Sequence, residues 1–181
     1  MRFFTWILFL ISPAFFSKSE HSSSLTQGIS AVALAVKLTP PVEKEVIGPE
    51  DFVAFAKTLI GTPYVYGSTD PSKGFDCSGF VYYVALHFGL RTPRSSADFA
   101  DFGVTVPPAQ ARPGDLILFT GTDASQRRIG HMGIVSSVGN NGIEFVHSSS
   151  GKGKGVIVSP LRGYYEQRFV KLVRILPAAR T

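Results

Sequence analysis

From Pro49 onward, apolar positions recur with a period that changes once along the chain. In "PEDFVAFAKTLIG" the residues Phe52, Phe55, Ala56 and Leu59 fall at three- and four-residue steps, and the run stops at Gly61. That spacing predicts an amphipathic helix. The stretch "DCSGFVYYVALHFG" repeats the pattern, with Asp76 as cap, Phe80, Val81, Val84, Ala85 and Phe88 on one face, and Gly89 as the stop. "PRSSADFADFG" reads as a third, short helix capped by a serine. After Pro113-Gly114 the period shortens. "DLILF", "HMGIVSSV", "IEFVHS", "GVIVS" and "FVKLVRIL" are short, rich in β-branched residues and separated by glycine-containing turns, which predicts strands. Helices first and strands afterwards predict an α+β domain over 49–181, its N-terminal helices packed on a small antiparallel sheet. No internal repeat or second domain is visible.

The first 48 residues follow other rules. "MRFFTWILFLISPAFFSKSE" joins a basic start, an apolar run from Phe3 to Ile11 and small residues at Ser12-Pro13-Ala14, the layout of a secretory signal peptide over residues 1–20. The apolar run is shorter than the roughly 20 residues that span a bilayer. It has no neighbouring cysteine for a lipid anchor, so no membrane anchor is expected. Residues 21–48 mix Ser, Pro and Val without a period and read as a linker or extension, with one short strand near Val32–Leu38. This organisation points to the periplasm or the cell exterior.

Composition narrows the chemistry. Of 181 residues, 44% are hydrophobic and 17% charged, the balance of a folded domain. A net charge of +5 and a pI near 9.5 suit acidic partners such as cell-wall polymers. Nucleic acid is not an expected partner outside the cell, and a monomer is expected.

The single cysteine, Cys77, cannot form an internal disulfide, so its use is packing, metal binding or chemistry. With Asp76 as cap it is the first helical residue, and its sulfur lies at the positive end of the helix dipole. That placement favours a thiolate, and Asp76 opposes it unless its charge is turned away by its capping bonds. The same helix-start N–H groups suit an oxyanion. Cys77 also shares a face with Phe80, Val81, Val84 and Phe88, so plain core is the competing reading.

The histidines decide between the two. His21 lies in the linker and His87 at a helix end. His131 opens one strand and His147 closes another. If Ser137 pairs with Ile143 across a five-residue loop, both imidazoles face one side of the sheet. A two-residue Asn140-Asn141 turn shifts the register by one and parts them. Gly133 leaves room for a helix end to approach. Cys77, His131 and His147 then read as nucleophile, general base and the group that orients the base. Zinc held by the same three residues is the rival chemistry. Catalytic zinc sites often place two ligands close together on one element, whereas here the gaps are 54 residues (77 to 131) and 16 (131 to 147). No metal and no cofactor are expected.

The segments "GTPYVYG", "GFDCSGFVYYV", "PRSSADF", "RPGDLILF", "GHMGIV" and "FVHSSSGKGKGVIVS", in that order over about residues 51–176, resemble the NlpC-type family of bacterial cell-wall cysteine peptidases, which has a papain-like core. The resemblance implies Cys77 as nucleophile, His131 as base and His147 in a third polar place. It implies that Tyr64 lies near the nucleophile and that Asp76 and Ser78 seat the amino-acid end of a stem peptide. It also implies that Gly79 and Gly133 let helix and sheet pack closely. Tyr66-Gly67-Ser68 departs from the Trp-Gly-Gly common in the family. Arg127 and Arg128, in a polar loop before His131, are candidates to meet the carboxylates of the substrate. The activity implied is hydrolysis of an amide in the peptidoglycan stem peptide, between D-glutamate and the diamino acid. An amidase, acyltransferase or wall-degrading toxin with the same three groups, and a wall-binding module without catalysis, are the alternatives.

Overall fold

The computed structural model describes residues 48–123, 125–151 and 155–176. The signal peptide expected over 1–20, the strand expected near Val32–Leu38 and nearly all of the expected linker lie outside the described residues.

Helix α1 (Pro49–Thr58) starts with proline at its first position, carries Glu50 and Asp51 in its first turn and Lys57 in its last, each suited to the helix dipole. A two-strand ladder, β1 (Thr69–Asp70) with β2 (Gly74–Phe75), leads directly into α2 (Cys77–His87). Asp76 caps α2 from extended backbone, its carboxylate accepting the Gly79 N–H. Gly89 follows the helix at φ +70, a conformation that glycine adopts without a Cβ penalty. His87, the last helical residue, stacks its ring on Phe55 with 3.6 Å between centroids. The third helix expected around 94–103 is a 3-10 turn, Asp98–Asp101, with no side-chain cap. Ser95 instead accepts the Ala97 N–H just before it, which favours a local turn over a longer helix.

The strands β3 (Val104–Val106), β4 (Leu116–Thr120), β5 (Ile129–Gly139), β6 (Gly142–Ser149), β7 (Gly155–Pro160) and β8 (Phe169–Arg174) form one sheet. Its order is β3-β8-β4-β5-β6-β7, antiparallel throughout, with a short helix α3 (Tyr164–Arg168) between the last two strands of the chain. The five strands read from sequence are β4 to β8. The short β1, β2, β3 and α3 are additions, each too brief to show a period.

All five residues of β4 are buried, because this strand is covered on both faces. Leu116 and Leu118 join Met132, Ile134 and Val146 against Phe52, Phe80 and Val84 of the helices. Ile117 and Phe119 join Val135 and Phe145 on the opposite side, where Tyr165 of α3 packs. Each fully buried Phe or Leu of this kind contributes about 1.5–3 kcal/mol through apolar area removed from water.

The β5–β6 hairpin carries the register question. Gly139 pairs with Gly142, Val138 with Ile143 and Ser137 with Glu144, so the turn is the two-residue Asn140-Asn141. That turn by itself parts the histidines. One step further, Val135 pairs with Phe145 and Ile134 with Val146, so Ser136 is an extra residue, a β-bulge. The bulge restores the register, and the pairing continues to set Gly133 opposite His147. A Cβ at Gly133 would lie 2.7 Å from the Val146 carbonyl and 2.9 Å from the His147 Cβ. Gly133 therefore makes room for β6 rather than for a helix end. Gly79 likewise yields to a loop, since a Cβ there would lie 2.1 Å from the Ser68 carbonyl oxygen.

The Ser136 hydroxyl is buried without a partner, so the position is needed for its backbone and not its side chain. Ser136→Ala is expected to leave stability within about 0.5 kcal/mol of the parent or raise it, read by urea denaturation. Deletion of Ser136 is expected to destroy the fold, because it moves His147 and Phe145 to the wrong face. A folded deletion protein would contradict this account of the register.

Candidate active site

Cys77 is buried at the first position of α2. Its Sγ lies 4.0 Å from the carbonyl oxygen of Gly130, and the nearby backbone N–H groups of Ser78, Met132 and Cys77 itself favour its charged form. The thiol is thus pressed against the backbone on both sides of His131. Burial first, and the Asp76 charge second, push its pKa up, against the pull of those N–H groups. The resting group is a thiol. The thiolate favoured by the helix dipole alone does not survive desolvation.

His131 and His147 meet as their register requires. His131 Nε2 and His147 Nδ1 are 2.9 Å apart, and the rings stand edge to face at 86°. Both alternate with residues that face the helices, Met132 and Val146, so the imidazoles lie on the other side of the sheet among Phe119, Phe145 and Tyr165. His147 is completely buried, and its Nε2 lies 2.9 Å from Ser159 Oγ. Desolvation, with Arg168 as a nearby cation, lowers the His131 pKa to about 4. Desolvation, His131 and Arg168 lower that of His147 to about 3. Both rings are neutral at neutral pH.

Arg168, on α3, is also buried. It donates to the Thr120 carbonyl at 2.7 Å and to the Tyr164 hydroxyl, and its guanidinium lies 4.6 Å from the Tyr164 ring centroid. Among the described residues it makes no ion pair. Its charge adds to desolvation, the larger cause, in keeping the two imidazoles neutral.

A cleft of about 780 Å³ opens beside Cys77, with Tyr64, Asp76, Ser78, Arg94 and Arg128 in its walls. Tyr64 is carried there by the 61–68 segment. Gly61 and Thr62 bond to Val156 of β7, and Tyr64 bridges Phe75. Burial first, and then the neighbouring Cys77 and Asp76, raise the pKa of its phenol, so it stays a donor. Asp76 is saturated. Its carboxylate accepts from Gly67 N (2.8 Å), Gly79 N (2.6 Å), Ser78 Oγ (3.3 Å) and both terminal nitrogens of Arg94 (3.0 and 2.7 Å). No lone pair is left for a substrate ammonium. Arg94, which also donates to Ser78 Oγ at 2.9 Å, is the group that these two residues present to the cleft. Arg128 lines the cleft, whereas Arg127 turns to the Phe169 carbonyl at 3.3 Å and is not part of the wall.

Arg94, Ser159 and Arg168 were invisible as site residues in the sequence. The one usable signal concerned Arg94, because a buried helix-capping carboxylate requires a cationic partner. The described residues contain no group of three or more His, Cys, Asp or Glu arranged to hold a metal ion, and the two imidazoles spend facing nitrogens on each other.

The model of the NlpC/P60 family matches residues 61–174. The chain belongs to the NlpC/P60 family. Among curated relatives it is 41% identical over 85 residues to the gamma-DL-glutamyl hydrolase of Bacillus subtilis (46% of this chain, 20% of that protein). It is 38% identical over 112 residues to the murein DD-endopeptidase MepS/murein LD-carboxypeptidase of Escherichia coli (61% and 53%). The chain thus spans between a fifth and about half of the length of these relatives. Among solved structures, an NlpC/P60 family protein from Bacillus cereus superposes with a TM-score of 0.64 at 28% identity (73% of this chain, 41% of that one). The NlpC/p60 domain of the peptidoglycan hydrolase SagA gives 0.57 at 32% (71% and 100%). The NlpC/P60 domain described above is accordingly a papain-like α+β fold, as its sequence implied.

The buried neutral imidazoles set a pH dependence for stability. Their folded pKa values, about 4 and about 3, lie below the ordinary value of 6.5, so as pH falls the unfolded chain takes up protons first. Their contribution is complete above about 6.5 and is lost as pH falls towards 4 and below. The urea midpoint is expected to be flat from pH 8 to 7 and to drop between 6 and 4, with a shallower drop in His147→Gln. A midpoint unchanged down to pH 4.5 would show that the rings are not buried neutral.

Proposed function

We propose that this NlpC/P60 protein is an exported cysteine peptidase that hydrolyses an amide bond of the peptidoglycan stem peptide. In this reading residues 1–20 are a signal peptide. The observation that carries the proposal is the pairing of His131 with His147 at 2.9 Å on the strand whose backbone holds the Cys77 sulfur. Relatives with peptidoglycan or glutamyl hydrolase names support the substrate class. Among the described residues no helix is long and apolar enough to cross a membrane.

His131 commits Nε2 to His147, which leaves Nδ1 to act on Cys77. Because both groups rest uncharged, the thiol proton moves to His131 as Sγ attacks the scissile carbonyl carbon, in general-base fashion. The N–H groups of Cys77 and Ser78, at the start of α2 beside the sulfur, and the Tyr64 phenol stabilise the tetrahedral oxyanion. Collapse breaks the C–N bond, His131 protonates the leaving amine, and a thioester remains on Cys77. Water, deprotonated by His131, then releases the acid and restores the thiol. His147 holds the His131 ring and its tautomer throughout.

The bond we assign is that between D-glutamate and the diamino acid, in line with the glutamyl hydrolase named among the relatives. Arg94 and Arg128 meet the carboxylates of an acidic stem peptide. Asp76 and Ser78 act on the substrate by presenting Arg94.

Cys77→Ala and Cys77→Ser are expected to stay folded and lose hydrolysis. His131→Ala is expected to lose at least about 10²–10⁴-fold in kcat. His147→Asn should lose less, since an amide oxygen still accepts the His131 N–H. Mass spectrometry of defined muropeptides digested with and without their sugar identifies the bond. Wild-type turnover by Cys77→Ala, or cleavage confined to a sugar–lactyl amide, would reject this reading.

A further inference from the structure

We infer that Ser159 is a positioning residue of the reaction, acting through His147 on His131, a role that rests on the assignment of Cys77 and His131 above. Ile157 is the cross-strand partner of His147, and Ser159 lies two residues further along β7. It is therefore the diagonal neighbour of His147 on the same face of the sheet. Its Oγ lies 2.9 Å from His147 Nε2, and His147 Nδ1 lies 2.9 Å from His131 Nε2. Three polar groups thus cross three adjacent strands, β7, β6 and β5, in a single hydrogen-bonded row.

The row has a direction. For His131 Nδ1 to receive the thiol proton it must carry a lone pair, so the ring proton sits on Nε2 and is donated to His147 Nδ1. His147 then carries its own proton on Nε2, and Ser159 Oγ must accept it. The opposite arrangement, with the serine donating, places a proton on His131 Nδ1 and blocks the base. The end of the row is buried, with His147 at 0% and Ser159 at 7% exposure, so bulk water does not replace the serine. Among the described residues neither imidazole has a carboxylate in an ion pair. His147 therefore occupies the place that a carboxylate fills in a Ser-His-Asp triad, and a neutral hydroxyl anchors it from behind. The groups packed around the row agree. Arg168 and Tyr165 approach from α3, Phe119 from β4 and Phe145 from β6. With a buried cation beside it, an anchoring group that accepts a proton bond without drawing a proton keeps His147 neutral through the cycle.

The test uses the whole chain and two readouts. Ser159→Ala is expected to lower kcat on a defined muropeptide about 10- to 100-fold, the size of one buried hydrogen bond left unmade. KM should change by less than about twofold. Ser159→Thr, which keeps the hydroxyl, should recover most of kcat. A merely structural serine would not set the second readout, the ¹⁵N–¹H long-range correlation of the imidazoles. In the unmodified protein His147 and His131 should both be protonated on Nε2, and in Ser159→Ala His147 should show mixed tautomers. A His147 protonated on Nδ1, or a Ser159→Ala kcat within about twofold of the parent, overturns the inference. If Ser159→Ala does not fold, the parent spectrum and Ser159→Thr still decide. Activity retained by Cys77→Ala or His131→Ala rejects the underlying assignment instead, so the two failures are distinct.

Discussion

A buried carboxylate at the start of α2 ties the site together. Asp76 caps its own helix at Gly79, anchors the preceding loop at Gly67 and draws Arg94 in from a segment 18 residues away. A carboxylate this deep is costly unless its lone pairs are filled, and removing one partner of such a pair leaves an uncompensated charge. The helix start, the Tyr64 loop and the cleft wall are consequently positioned by one group. The same saturation settles the electrostatics around the thiol. Arg94 offsets much of the Asp76 charge, so burial is the main force that keeps Cys77 protonated.

The sheet divides its labour by face. The helix-facing side is a conventional apolar core, whereas the imidazoles occupy the other side with Phe119, Phe145, Tyr165 and the Arg168 cation. Burial makes both histidines poor places for a proton. It also makes each hydrogen bond in the row more consequential, since no solvent stands by to replace a lost partner.

Much of this was legible in the sequence because it rests on local rules. The period switch near Pro113 marked the change from helices to sheet, and Asp76 announced the helix start that carries Cys77. Alternation placed His131 and His147 on strands. What escaped reading depends on contacts without a local signature. The Ser136 bulge rescues a register that the Asn140-Asn141 turn alone would have broken, and no propensity distinguishes Ser136 from Ser137. Arg127 and Arg128 are adjacent and equally basic, yet only the second lines the cleft. Ser159 looks like any serine at the end of a strand. Gly79 and Gly133 were recognisable as sites of close approach, but their actual neighbours, a loop carbonyl and the next strand, belong to the tertiary structure.

The bulge at Ser136 has a mechanical side. It divides the β5–β6 hairpin into a base, where the pairing aligns the imidazoles, and an outer arm from Ser137 to Glu144 with its own alignment. The arm ends in an exposed Asn140-Asn141 tip, the sort of place where added chain is best tolerated. A fluorophore or a grafted wall-targeting peptide installed there would be insulated from the chemistry by a joint already built into the strand. The hairpin tip is thus a natural handle for tracking or retargeting the enzyme.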